Sequence, residues 1–96
     1  MELEITDSTL FKEIQDAFNN VYPFLWIDFF YHPASDHNHF EKIKPGMVVR
    51  NLCPFKGTKS VSISGNRSVA QLESDFWDVL CVKTKVLRRS GNVWVG

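Results

Sequence analysis

The chain has 96 residues, 44% of them hydrophobic, and its 11 lysines and arginines are balanced by 11 aspartates and glutamates. That length is one domain, residues 1–96, able to bury a core without staples. Zero net charge argues against nucleic acid as the main partner, and the lack of any run of 18 apolar residues argues against a membrane span.

Residues 1–6 alternate, with Leu3 and Ile5 on one side and Glu2 and Glu4 on the other, which predicts a strand. Asp7, Ser8 and Thr9 each offer an N-cap to a first helix, whose expected apolar stripe is Leu10, Ile14, Ala17, Phe18 and Val21. Pro23 ends it, because the residue before a proline is pushed out of the α region. Residues 24–32 (FLWIDFFYH) are the most apolar run. Leu25, Ile27, Phe29 and Tyr31 share one face, while Phe24, Trp26, Asp28 and Phe30 share the other. A strand apolar on both faces is expected to be covered on both, and a partner subunit is the simplest cover for the second.

Residues 33–58 form a long connection in which Pro45-Gly46 marks a turn and Met47 to Leu52 plug one end of the core. Val61-Ser62-Ile63-Ser64 reads as a strand and Gly65-Asn66 as a turn. Ser68 and Gln71 form a capping box for a second helix with stripe Val69, Leu72, Phe76, Val79 and Leu80. Residues 81–87 alternate again, and Gly91-Asn92 turns the chain into a last strand at Val93-Trp94-Val95.

Two stretches, 1–32 and 59–87, therefore carry the same order of elements, joined by loop 33–58. Leu3 falls on Val61, Ile14 on Leu72 and Phe18 on Phe76. The fold expected from two split βαβ units is an α+β ferredoxin-like sandwich, helices on one face, plus an extra C-terminal hairpin strand. The residues from Ser64 to Phe76, with Ser90-Gly91-Asn92-Val93-Trp94, resemble small uncharacterised bacterial proteins that carry a similar strand–GNRSVAQLE–helix–strand–RRSGN–strand segment. The resemblance implies no activity.

Three clusters invite chemistry. His32, His37 and His39, with Asp36, are metal-ligand types within eight residues, and zinc takes three or four such ligands. Their spacing matches no zinc motif, and a solvated polar loop explains them equally. Lys83, Lys85, Arg88 and Arg89 make a basic strip, but the first and third predicted strands lack the aromatics on which an RNA-binding sheet stacks bases. Cys53 and Cys81, 28 residues apart without a CxxC, read as buried thiols, since a disulfide requires an oxidising compartment. A nucleophilic cysteine would need a base, for which the histidine cluster is the only conceivable partner.

The sequence thus points to a non-enzymatic interaction or assembly domain that is cytoplasmic and needs no cofactor. It is expected to self-associate or bind a protein partner through an apolar sheet face, with Trp26, Phe30 and Trp94 as contacts. The alternative is a small-ligand or metal-binding module built on His32, His37, His39 and Asp36.

Overall fold

In the computed structural model, which describes residues 2–32, 39–91 and 93–95, the elements follow in the order β1 (Glu2–Thr6), α1 (Phe11–Val21), β2 (Leu25–Tyr31), β3 (Glu41–Lys42), β4 (Thr58–Ser62), α2 (Val69–Leu80), β5 (Lys83–Ser90) and β6 (Val93–Val95). A single 3-10 turn, Val49–Asn51, lies between β3 and β4. The chain is α+β, with two helices and two antiparallel sheets. β1 pairs with β4, and β3-β2-β5-β6 make a four-stranded sheet. β6 is the expected hairpin strand, reached through Gly91 at φ 62°, where a Cβ would be strained.

A ferredoxin-like sandwich would join β1, β2, β4 and β5 in one sheet. Among the described residues no ladder connects the β1–β4 pair to the β2–β5 pair. The reason lies at the edges of β2. One edge is taken by β5 along its length, from Leu25–Arg88 to Phe30–Lys83. The other is taken by β3 at Phe30 and Tyr31, and by side chains of α1 before that. Gln15 Nε2 donates to the Ile27 carbonyl at 2.9 Å and Asn19 Nδ2 to the Leu25 carbonyl at 2.8 Å. Four residues of helix rise about 6 Å and two residues of strand about 6.8 Å, so amides at i and i+4 meet carbonyls at j and j−2. The helix satisfies β2 as a neighbouring strand would, and no edge is left for β4.

This use of Gln15 shifts the expected stripe. The buried face of α1 is Phe11, Ile14, Gln15 and Phe18. Its N-cap is Leu10, whose amide donates to Glu13 Oε1 at 2.9 Å, rather than Asp7, Ser8 or Thr9. The first free amides of the helix are met by the long connection. Phe11 N donates to the Met47 carbonyl and Lys12 N to the Pro45 carbonyl, both at 3.0 Å. Backbone carbonyls at a helix N-terminus replace a side-chain cap. In return Val49 N donates to Thr9 O and Arg50 N to Asp7 O, and Val49 is fully buried. α2 is capped as its sequence reads, with Gln71 N donating to Ser68 Oγ and Ser68 N to Gln71 Oε1. Val69, in its first turn, is exposed rather than part of the buried face Leu72, Phe76, Leu80.

α2 starts at Val69, 58 positions after α1 starts at Phe11, and Ile14, Phe18, Leu72 and Phe76 are all buried. Phe29 joins the two sides, with ring centroids 5.5 Å from Phe11 of α1 and 5.1 Å from Phe76 of α2. Opposite Phe29 on β5 sits Thr84, buried, with no hydrogen-bond partner on Oγ1 among the described residues. An unsatisfied buried hydroxyl costs about 1–3 kcal/mol, and valine has nearly the same shape. Thr84→Val is therefore expected to stabilise the chain by about 1 kcal/mol, read as a higher urea midpoint. A lower midpoint would show that the hydroxyl has a partner in solution.

Candidate functional site

The helices cover the face of β2 and β5 that carries Ile27, Phe29 and Thr84. Among the described residues the other face has no helix over it. Alternation and register place on it Phe24, Trp26, Asp28 and Phe30 from β2 and its entry, and Lys83, Lys85, Leu87 and Arg89 from β5. β6 adds Trp94, which is opposite Arg89.

Of the three expected contacts, two come together. The rings of Trp26 and Trp94 lie 6.2 Å apart, centre to centre, and tilted, a favourable aromatic pairing. Phe30 lies four residues further along β2, roughly 13 Å away, beyond the Asp28–Lys85 pair. It faces Phe40, Lys83 and Lys85 across a shallow hollow of about 480 Å³. The apolar end of this surface is larger than Trp26 and Trp94 alone. Phe24, 74% exposed, joins Trp94, 39% exposed, on this face, while Val93 at 64% and Val95 at 43% leave the rest of the β6 edge exposed on the opposite face. Phe24 is held there by its carbonyl, which accepts Arg89 N at 3.0 Å. The period-two pattern already puts Phe24 on the face of Trp26. The exposure of β6 follows from its edge position, which only the sheet order reveals.

Asp28, the one acid of β2, is 7% exposed and well paired. It accepts the Trp26 indole N–H at 3.0 Å on Oδ1 and faces Lys42 Nζ at 3.4 Å on Oδ2. It therefore fixes the Trp26 ring. A cleft of about 410 Å³ beside it is lined by Gln15, Trp26, Lys42, Ile43 and Pro45. Charge is segregated although the total is zero. Among the described residues, Lys42, Lys83, Lys85 and Arg89 stand on this face with Asp28, and Glu73 of α2 borders the hollow at Phe30, while Glu13, Asp16, Asp75 and Asp78 lie elsewhere on the helices.

The histidine segment is partly described. His37 and Asp36 lie outside the described residues. His32 and His39 are both exposed and adjacent. Nδ1 of His32 lies 3.0 Å from the His39 carbonyl, and its ring is 3.8 Å from that of Phe40. His39 Nε2 faces Glu41 Oε1 at 3.7 Å, and Glu41 Oε2 accepts the Tyr31 hydroxyl at 3.1 Å. That hydrogen bond favours the protonated phenol and raises the Tyr31 pKa above its ordinary value of 10.0. Among the described residues no three His, Cys, Asp or Glu side chains converge as a metal site.

The cysteines differ from the expected buried pair. Cys53 is half-buried and Cys81 exposed, yet the two sulfurs lie 3.7 Å apart. Among the described residues no helix is long and apolar enough to cross a membrane. No family model matches this chain, and neither a curated protein nor a solved structure matches it.

Proposed function

We propose that the chain is a non-enzymatic assembly domain that self-associates along β6 and the adjoining aromatic face of the four-stranded sheet. The observation that carries this reading is the contrast between the two edges of that sheet. The β2 edge is sealed by Gln15 and Asn19. The β6 edge carries three exposed apolar residues and neither charge nor proline, the usual guards of an open edge. Antiparallel pairing of β6 with its copy about a two-fold axis would continue the sheet from four strands to eight. It would bring two Trp26–Trp94 pairs alongside one another and keep Lys83 and Lys85 of the two copies apart. The finer reading of the fold accompanies this one. The chain is a two-sheet relative of the ferredoxin-like sandwich that keeps the strand–helix–strand order of each half and the β1–β4 pairing.

Ladder alternation gives a selective test. Arg89 sends its N–H toward Phe24, so its partner Trp94 sends its own toward the free edge. Trp94→Pro removes that donor and the ring without touching the bonds between β5 and β6. Light scattering behind size exclusion is expected to read a dimer for the unaltered chain, with or without EDTA. Trp94→Pro and Trp26→Glu are each expected to weaken it by roughly 30-fold or more, the scale of a central aromatic contact. A monomer at every concentration rejects self-association. A dimer that dissociates in EDTA transfers the assignment to a metal site at His32 and His39, completed by His37 and Asp36.

A further inference from the structure

We propose that Cys53 and Cys81 are a thiol-modification site, closing into a reversible intramolecular disulfide by exchange with a low-molecular-weight disulfide such as oxidised glutathione. The site does not depend on how the chain assembles. Cys53 follows the 3-10 turn, where its amide donates to the Val49 carbonyl at 2.9 Å. Cys81 ends α2, where its amide donates to the Trp77 carbonyl at 2.9 Å. Two separate hydrogen-bonded turns thus deliver the sulfurs to a separation of 3.7 Å. Cys53 Sγ also lies 3.7 Å from the Val79 carbonyl, which Lys59 Nζ approaches at 3.3 Å, so its side chain is held toward the helix end. A disulfide bond is about 2.05 Å long, and the remaining closure of about 1.7 Å is within reach of side-chain torsions.

Cys81 is an unusual residue for its place. Its φ is 59°, and among the described residues it is the one non-glycine with positive φ. Left-handed helix ends normally carry glycine or asparagine, which adopt this conformation at least cost. A side chain kept here against that preference is exposed, faces a second thiol, and is accessible to a dissolved reagent.

The exchange balances without a further reactant. Cys81, the exposed thiol, meets the reagent first. Its thiolate attacks one sulfur of oxidised glutathione, forming a mixed disulfide and expelling a glutathione thiolate. Cys53 then gives its proton to solvent and attacks the Cys81 sulfur, expelling the second glutathione. Two protein thiols lose two electrons in all, and one glutathione disulfide becomes two thiols. Burial, and then the hydrogen bond to Cys81, push the Cys53 thiol of the dithiol form above its ordinary pKa, and because its thiolate is the attacking form, resolution speeds up with rising pH. The bond ties the end of the 3-10 turn Val49–Asn51 to the end of α2.

The test incubates the chain in mixtures of reduced and oxidised glutathione, quenches with N-ethylmaleimide and reads intact mass. The expected product is a monomer about 2 Da lighter that takes up no maleimide and returns to the dithiol with dithiothreitol. Cys53→Ser is expected to stop at a mixed disulfide on Cys81. Persistent glutathione adducts on the unaltered chain, disulfide-linked dimers, or two thiols that remain alkylatable at every ratio overturn the proposal. These readouts come from the unaltered chain and stand even if a cysteine variant folds poorly.

Discussion

Phe29→Ala is expected to lose about 3–5 kcal/mol of stability, the range for removing a fully buried aromatic ring. Phe29 is 1% exposed and is the contact through which both helices meet the same strand, by Phe11 on one side and Phe76 on the other. A site gripped by two helices cannot collapse around the void without moving both, so the upper part of the range is expected. Domains of this size hold about 5–15 kcal/mol in total, so the variant retains little reserve. Urea denaturation followed by tryptophan fluorescence measures the change. A loss under about 1.5 kcal/mol would mean that the helices close over the gap.

The double variant Gln15→Met with Asn19→Ala is expected to lose about 2–4 kcal/mol and also to change the state of assembly. Each amide meets a carbonyl on an otherwise unpaired edge, that of Ile27 or Leu25. Without the amides these carbonyls are left without their present donors, either buried under the helix or open to another strand. The stability loss is partly offset at Gln15, because its buried Oε1 has no partner among the described residues and methionine removes that atom too. Larger species in light scattering, absent from Phe29→Ala at equal stability loss, are the expected signature. An unchanged size and midpoint would mean that the amides play no part in guarding the edge.

The sequence showed the elements more clearly than the way they are joined. Ser68 and Gln71 announce α2 because a capping box is local chemistry, four residues long. The cap of α1 was not legible because it comes from the carbonyls of Met47 and Pro45, more than thirty positions away. Gln15 misled for a related reason. A glutamine beside an apolar stripe reads as solvent-facing, and only the position of β2 shows that its amide has an edge to cover. With that edge hidden, the sequence leads to the single ferredoxin-like sheet that the two observed sheets replace. The aromatic face followed from alternation in residues 24–32, but the Trp26–Trp94 pairing depends on the register of β5 with both neighbours. The contact between Cys53 and Cys81 had no sequence signal at all, since it joins two turns set independently.

The strand pairing has a further consequence for how the chain reaches this state. The ladders that hold both sheets join residues such as Thr6 with Thr58 and Leu25 with Arg88, more than fifty positions apart. Among the described residues β1 and β2 have no ladder with each other, and neither do β4 and β5, so within a half only the short β2–β3 and β5–β6 ladders form. Folding must therefore wait for distant segments to meet, which places the chain among the slower, high contact-order topologies. Cutting the connection between β3 and β4 should leave two fragments that are each unstructured and that regain the fold when mixed. Two intact chains at high concentration can satisfy the same ladders by exchanging halves, giving an intertwined pair with the same core as the monomer.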